Sequence, residues 1–217
     1  MVAPLTLHTD LLALIARESS HAKAGKPARI IAKMNGLLDV PTIDALYAAS
    51  QAGVEIDLVV RGMCALRPGI LGFSDRIRVR SIIGRFLEHS RIFFFANGGP
   101  DDGPQSEIFC GSADWMARNL YERCEVVFPV VDPALKRRLR EEILDSYLRD
   151  NLKARLMNPD GSYVRAPNAV PALGAQQYLM EQSRSPEKRL TRDKTAAVIS
   201  TPAEEAESVL SKEQSGL

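Results

Sequence analysis

The sequence predicts an α/β domain in which a mostly buried mixed sheet is flanked by helices. Three observations predict it. Residues 28–60 read as strand, helix, strand with short connections, the pattern of a βαβ unit with parallel pairing. Four more β-type runs follow between residues 77 and 130. A long amphipathic helix then opens at Asp132-Pro133.

In chain order, Thr9 to Ala24 carries Leu11, Leu12 and Ile15 on one helical face, with Gly25 as a stop. "ARIIAKM" (Ala28 to Met34) reads as a strand. Asp39 is the expected N-cap of a helix that buries Ile43, Leu46 and Tyr47 and ends at Gly53. "VEIDLVV" (Val54 to Val60) is the second strand. "IRVRSI" (Ile77 to Ile82), "RIFFFA" (Arg91 to Ala96), "EIFCGS" (Glu107 to Ser112) and "CEVVFPV" (Cys124 to Val130) are the next four. "NGGPDDGPQ" joins two of them as a hairpin-like loop. The helix from Asp132 is expected to run to Asp150, with Leu135, Leu139, Ile143, Leu144, Tyr147 and Leu148 on its apolar side. A short helix is expected between Pro171 and Ser183. From Ser185 the chain has no aromatic residue and mixed charge, a composition that predicts disorder. The expected division is a domain over 1–184 and a tail over 185–217.

The 217 residues suit one ordinary domain, with 45% hydrophobic and 25% charged residues. A net charge of +1 says nothing about partners, so only local clustering is informative. No apolar run approaches the length of a membrane span, and none is expected. The N-terminus lacks a basic segment followed by a long apolar one, which argues against secretion. Cys64, Cys110 and Cys124 lack metal-type spacing and read as reduced thiols of a cytoplasmic protein, at least two of them in the core.

Charge does cluster. Seven arginines lie between Arg61 and Arg91, against two acids, Asp75 and Glu88. Arg76, Arg78 and Arg80 alternate along a strand and so share one face. A polyanion would relieve their repulsion, and guanidinium suits phosphate because its planar fork donates two bonds at once. A solvated edge strand guarded by charge explains the pattern equally well. Arg61 follows a strand, where α/β sheets place their ligands, and Gly62 beside it permits close backbone approach. Alternatively it is an ordinary strand-end arginine. "GSADW" (Gly111 to Trp115) supplies a hydroxyl and a carboxylate after another strand, and read alone it is better explained as a capped turn before a short helix. His89 stands two residues before Arg91, at the mouth of an apolar strand, and a lone histidine there is more often structural than catalytic.

Longer stretches point further. "KMNGLLDVPTIDALYAASQAGVEIDLVVRGMCALRPG", "SDRIRVRSIIGRFLEHSRIFFFANGG" and "GSADWMARNLYERCEVVFPVVDPALKRR" occur in order, with "VAPLTLHTDLLALIARE" before and "KARLMNPDGSYVR" after. Over about residues 2 to 167 the chain resembles the C-terminal catalytic domain of bacterial polyphosphate kinase, the large histidine-using form. The resemblance implies a phospholipase D-like single half, which works against a similar partner half across a shared cleft. It implies reversible transfer of the ATP terminal phosphate to inorganic polyphosphate, with magnesium whose ligands lie outside this chain. Within it, Arg61 matches the arginine of the "VRG" motif that contacts nucleotide phosphates, and His89 matches the active-site histidine of "FLEH". Arg78 and Arg80 are the further candidates for phosphate.

The family's first catalytic half, with the phosphorylated histidine, has no counterpart here, and His8 and His21 fall outside any such motif. The expectation is therefore a supporting half, weak or inactive alone, whose partners are ATP or ADP, polyphosphate and the N-terminal portion of the kinase. Neither nucleic acid nor a resident metal is expected, and a homo-oligomer is left open. A non-catalytic module that binds polyphosphate or nucleotide is the alternative. A homodimeric phosphodiesterase is disfavoured, because such enzymes carry His-x-Lys where this chain has His89-Ser90-Arg91.

Overall fold

The structure, a computed structural model, describes residues 1–184. The tail expected from Ser185 lies outside the described residues. One compact unit spans Met1–Gln176; a second begins at Gln177, and its described part is helical as far as Arg184.

The chain starts with a two-residue strand, β1 (Val2–Ala3), and helix α1 (Leu7–Lys23). Leu7, Leu11 and Ile15 recur every fourth residue and are buried, as one helical face requires. Strand β2 (Arg29–Met34), helix α2 (Val40–Ala52) and strand β3 (Glu55–Val60) form the expected βαβ unit, and β2 pairs with β3 in parallel. Asp39 caps α2 by accepting from the Thr42 amide at 3.0 Å, and Gly53 ends it in the left-handed conformation at φ 105°. Strand β4 (Ile77–Ile82) joins β3 in parallel. Strands β5 (Arg91–Phe95), β6 (Glu107–Gly111) and β7 (Glu125–Pro129) follow as antiparallel neighbours. The hairpin loop turns through Asn97 and Gly98, both at positive φ.

The helix from Pro133 is not uniform. It runs as α3 (Pro133–Arg137), a π-helical segment (Arg138–Leu144) and α4 (Asp145–Leu148). The wider π turn stacks residues five apart, and Arg140 and Asp145 use that spacing to pair at 2.6 Å. Two strands that sequence periodicity does not reveal, β8 (Ala154–Met157) and β9 (Tyr163–Arg165), extend the sheet, and α5 (Ala175–Arg184) supplies the short helix expected near there. Both new strands are too short to display alternation.

The sheet order is β1-β7-β6-β5-β2-β3-β4-β8-β9. One face packs Ile30, Ala32, Met34, Leu58, Phe93 and Phe95 with the buried residues of α1 and α2. The other packs Ile31, Ile92, Phe94 and Ile108 with Leu144. Leu144 has no exposed surface, so Leu144→Ala carries the usual cost of a core cavity, about 2–5 kcal/mol. The expected class, a mostly buried mixed sheet flanked by helices, is what is observed. Cys64 and Cys110 are half-buried, each packed against one of these clusters, whereas Cys124 is exposed.

Because β2, β3 and β4 are parallel, all three end at one edge. Antiparallel β5 begins there and β6 ends there. The loops after β2, after β3, between β4 and β5, and after β6 thus converge on the carboxyl edge of the sheet.

Candidate functional site

Backbone hydrogen bonds knit three of these loops together. Leu37 N–H donates to Met63 C=O and Ala65 N–H to Leu37 C=O, both at 2.9 Å. Trp115 N–H donates to Gly36 C=O at 3.1 Å, and Leu38 N–H to Trp115 C=O at 2.9 Å. The loops after β2, β3 and β6 are therefore one rigid platform. Gly62 is required for it. Its N–H donates to Asn35 C=O at 2.8 Å, and a Cβ there would lie 2.8 Å from that same oxygen. The close backbone approach that Gly62 permits is made by the chain itself.

Asp114 organises the platform's polar groups. Its carboxylate accepts from Arg91 Nε at 3.1 Å and Nη2 at 2.8 Å, from the Asn35 amide at 2.6 Å and from Asn35 Nδ2 at 3.3 Å. Burial alone would raise this carboxyl, but the Arg91 guanidinium and Asn35 outweigh it and hold Asp114 below the usual aspartate range. Asn35 passes the order on, because its Oδ1 accepts from Arg61 Nε at 2.9 Å. The Nη donors of Arg61 have no partner among the described residues. Arg91 reaches His89: Nη1 lies 3.1 Å from His89 Nδ1 and donates to the His89 carbonyl at 2.7 Å. A guanidinium can only donate, so Nδ1 is the acceptor and the ring proton sits on Nε2. His89 is exposed.

Beneath His89 lies a second, drier anchor. Glu88 pairs with Lys33 Nζ at 2.9 Å, accepts from Gln176 Nε2 at 2.7 Å, and takes a short hydrogen bond from the Tyr147 hydroxyl. Lys33 is 5% exposed, and its ammonium also donates to Ser90 Oγ at 2.8 Å and lies over the Tyr147 ring. Burial pushes the Lys33 ammonium down, with Glu88 opposing. Burial would push Glu88 up, but Tyr147, Lys33 and Gln176 bring it below its usual value. The residues on either side of His89 are thus tied to the sheet and to α4.

The structure brings Arg61 and His89 to this edge; Arg78 lies further along the sheet, opposite Asp57, and Arg80, opposite Val59, is turned to a backbone carbonyl of α4. Arg76, Arg78 and Arg80 do share a face, but carboxylates of β3 stand beside them. Arg78 donates to Asp57 Oδ1 at 2.7 Å and to Glu55 Oε2 at 2.8 Å, and Arg76 to Glu55 Oε1 at 2.6 Å. Arg80 donates a short bond to the Leu148 carbonyl. A phosphate reaching Arg78 would have to displace carboxylates already in place. Sequence reading omitted Lys33, Asn35, Glu88 as an anchor, Arg91 as a ligand of His89, Asp114 in its observed role, Tyr147 and Gln176. One signal was present: a lysine inside the apolar strand "RIIAKM" must find a partner. Asp114, expected as part of a capping turn, holds Arg91 and Asn35 instead.

Among the described residues no group of three or more His, Cys, Asp or Glu side chains could hold a metal ion. Asp114 and Glu88 are the carboxylates of the site, and each is committed to cations and amides of the chain. The site therefore does not fit a magnesium ion held by this chain's own side chains. No helix of the described residues is long and apolar enough to cross a membrane.

Comparison with known proteins identifies the family of the chain. The family described as polyphosphate kinase C-terminal domain 2 matches residues 1–176. The polyphosphate kinase of Neisseria gonorrhoeae is 56% identical over 167 residues, covering 77% of this chain and 24% of that protein. That of Pseudomonas putida is 57% identical over 164 residues, 76% of this chain and 22% of that protein. The crystal structure of polyphosphate kinase from Porphyromonas gingivalis superposes with a TM-score of 0.78 at 42% identity, covering 85% of this chain and 28% of that one. The chain thus spans about a quarter of the length of these relatives. With a family match over residues 1–176 and relatives 56–57% identical over about three quarters of the chain, the chain belongs to the polyphosphate kinase C-terminal domain 2 family.

Proposed function

We propose that this domain is the second catalytic half of a polyphosphate kinase, serving reversible transfer of the ATP terminal phosphate to inorganic polyphosphate. The observation that carries the reading is the pairing at one edge of an exposed, oriented histidine with an arginine whose terminal donors are unspent. Arg61, held at Nε by Asn35, offers its fork to phosphate oxygens. His89, with Nδ1 occupied by Arg91, offers Nε2–H to a phosphoryl or leaving oxygen. Both stabilise spreading negative charge, which is most of what phosphoryl transfer asks of a protein. Arg78 and Arg80 act from a distance in this reading, by holding the sheet that carries the edge. The nucleophile is supplied by a first half, so this chain alone transfers slowly or not at all. ATP as a substrate accords with a cytoplasmic location and reduced thiols.

The test is complementation. Mixing this chain with a separately expressed N-terminal portion of a polyphosphate kinase should restore ATP synthesis from polyphosphate and ADP. Tight polyphosphate binding without any rescue would favour the non-catalytic module instead.

A further inference from the structure

Strand β8 pairs antiparallel with β9 so that Arg155 and Arg165 are direct partners on one rung. Both are exposed, and neither guanidinium has an ion pair or hydrogen-bond partner among the described residues. Like charges facing each other across a ladder are destabilising. The same sheet shows the ordinary solution elsewhere, where Arg78 on β4 faces Asp57 on β3. Guarding an exposed edge strand needs charge, but an opposite-charge rung would guard it equally and without repulsion. Two unrelieved arginines on one rung call for an anion.

Their position says which one. Arg155 is the register partner of Ser81 on β4, and so shares its face. The Ser81 hydroxyl donates to the Arg61 carbonyl at 3.1 Å. With strands about 4.8 Å apart, Arg155 and Arg165 lie about 10 and 14 Å sideways from β3, which ends at Arg61. Lys153, exposed just before β8, adds a third cation at the same end.

We infer that the Arg155–Arg165 rung is a secondary anion subsite that receives the trailing phosphates of a linear polyphosphate whose end lies at Arg61 and His89. This inference rests on the function proposed above. It assigns the rung to the polymer and not to the nucleotide, because a short ligand held at Arg61 cannot also bridge two or three strands.

The test compares pyrophosphate with long-chain inorganic polyphosphate as ligands of the full 217-residue chain at low salt. The double variant Arg155→Gln, Arg165→Gln should bind pyrophosphate within about twofold of wild type but long chains about tenfold more weakly, one or two charge-assisted contacts' worth. Its long-chain affinity should also respond less to added salt. Arg165→Glu supplies a readout that a structural role would not give: it should raise the thermal midpoint by about 1–3 °C, by relieving the rung, while weakening long-chain binding. Long-chain affinity unchanged in both variants, with wild type still preferring long chains and Arg61→Ala still weakened, overturns the subsite alone. Wild type that binds neither ligand overturns the proposed function and the subsite with it.

Discussion

On β4, Arg78 stands opposite Asp57, and Arg76 and Arg78 share Glu55. Arg29 and Arg140 meet Asp101 beyond them, so this whole set of arginines is answered by carboxylates. At the carboxyl edge the arrangement differs. Arg91 is neutralised by Asp114, but among the described residues Arg61 is held only by the neutral Asn35, with its Nη donors unspent. Both regions are arginine-rich in sequence and both lie on one sheet. What separates them is the residue across from each arginine, a carboxylate in one case and an amide in the other. A carboxylate consumes the cation; an amide orients it and leaves its charge for a ligand. The first arrangement serves the fold, the second serves the site.

The largest expected effect is at the buried anchor beneath His89. Glu88→Ala leaves Lys33 as a buried ammonium with, among the described residues, only Ser90 and the Tyr147 ring, and should cost about 3–5 kcal/mol of stability. The double variant Lys33→Met, Glu88→Gln should recover much of that loss, because no unpaired charge remains. Chemical denaturation of the three proteins measures both. Equal destabilisation by the single and double variants would show that Glu88 acts through something other than charge.

His89→Ala should be the mirror image. The ring is exposed and its one side-chain hydrogen-bond partner among the described residues is Arg91, so stability should change by less than about 1 kcal/mol. In the complemented enzyme, phosphoryl transfer should fall at least about a hundredfold, the scale of one positioned acid–base group. His89→Gln should fail nearly as badly. Full activity of the glutamine variant would make His89 structural.

Acid should sharpen the comparison further. Asp114 and Glu88 both sit below their ordinary values of 3.8 and 4.5 in the folded protein. Their contribution is complete above those ordinary values and is lost as pH falls through the lower folded ones, below about pH 4. Asp114→Asn should flatten the acid limb of the stability curve. An unchanged limb would mean that Arg91 does not hold the carboxylate as described.

Much of this fold is legible in the sequence because its central strands and first two helices carry strong local signals. Asp39 and Gly53 bracket α2, and the apolar runs of β2, β3 and β5 leave little choice. Strands β1, β8 and β9, of two to four residues, have no periodicity to read and exist through their pairing partners. The site was half legible. Arg61 and His89 stand out by position and by family motif. The alternation of Arg76, Arg78 and Arg80 was equally visible, but Glu55 and Asp57 lie more than twenty positions earlier, and only strand register brings them opposite. Asp114 likewise meets Arg91 and Asn35 only through the fold.

The most direct measurement sets one arginine from each region against the other: polyphosphate binding and thermal stability of Arg61→Ala and Arg78→Ala, side by side. The account predicts opposite outcomes. Arg61→Ala should weaken binding about tenfold or more with little change in thermal midpoint. Arg78→Ala should lose about 1 kcal/mol of stability, discounted for its partial exposure, with binding nearly unchanged. If Arg78→Ala weakens polyphosphate binding as much as Arg61→Ala while leaving stability intact, the carboxylates of β3 do not consume its charge, and the division between the two regions is wrong.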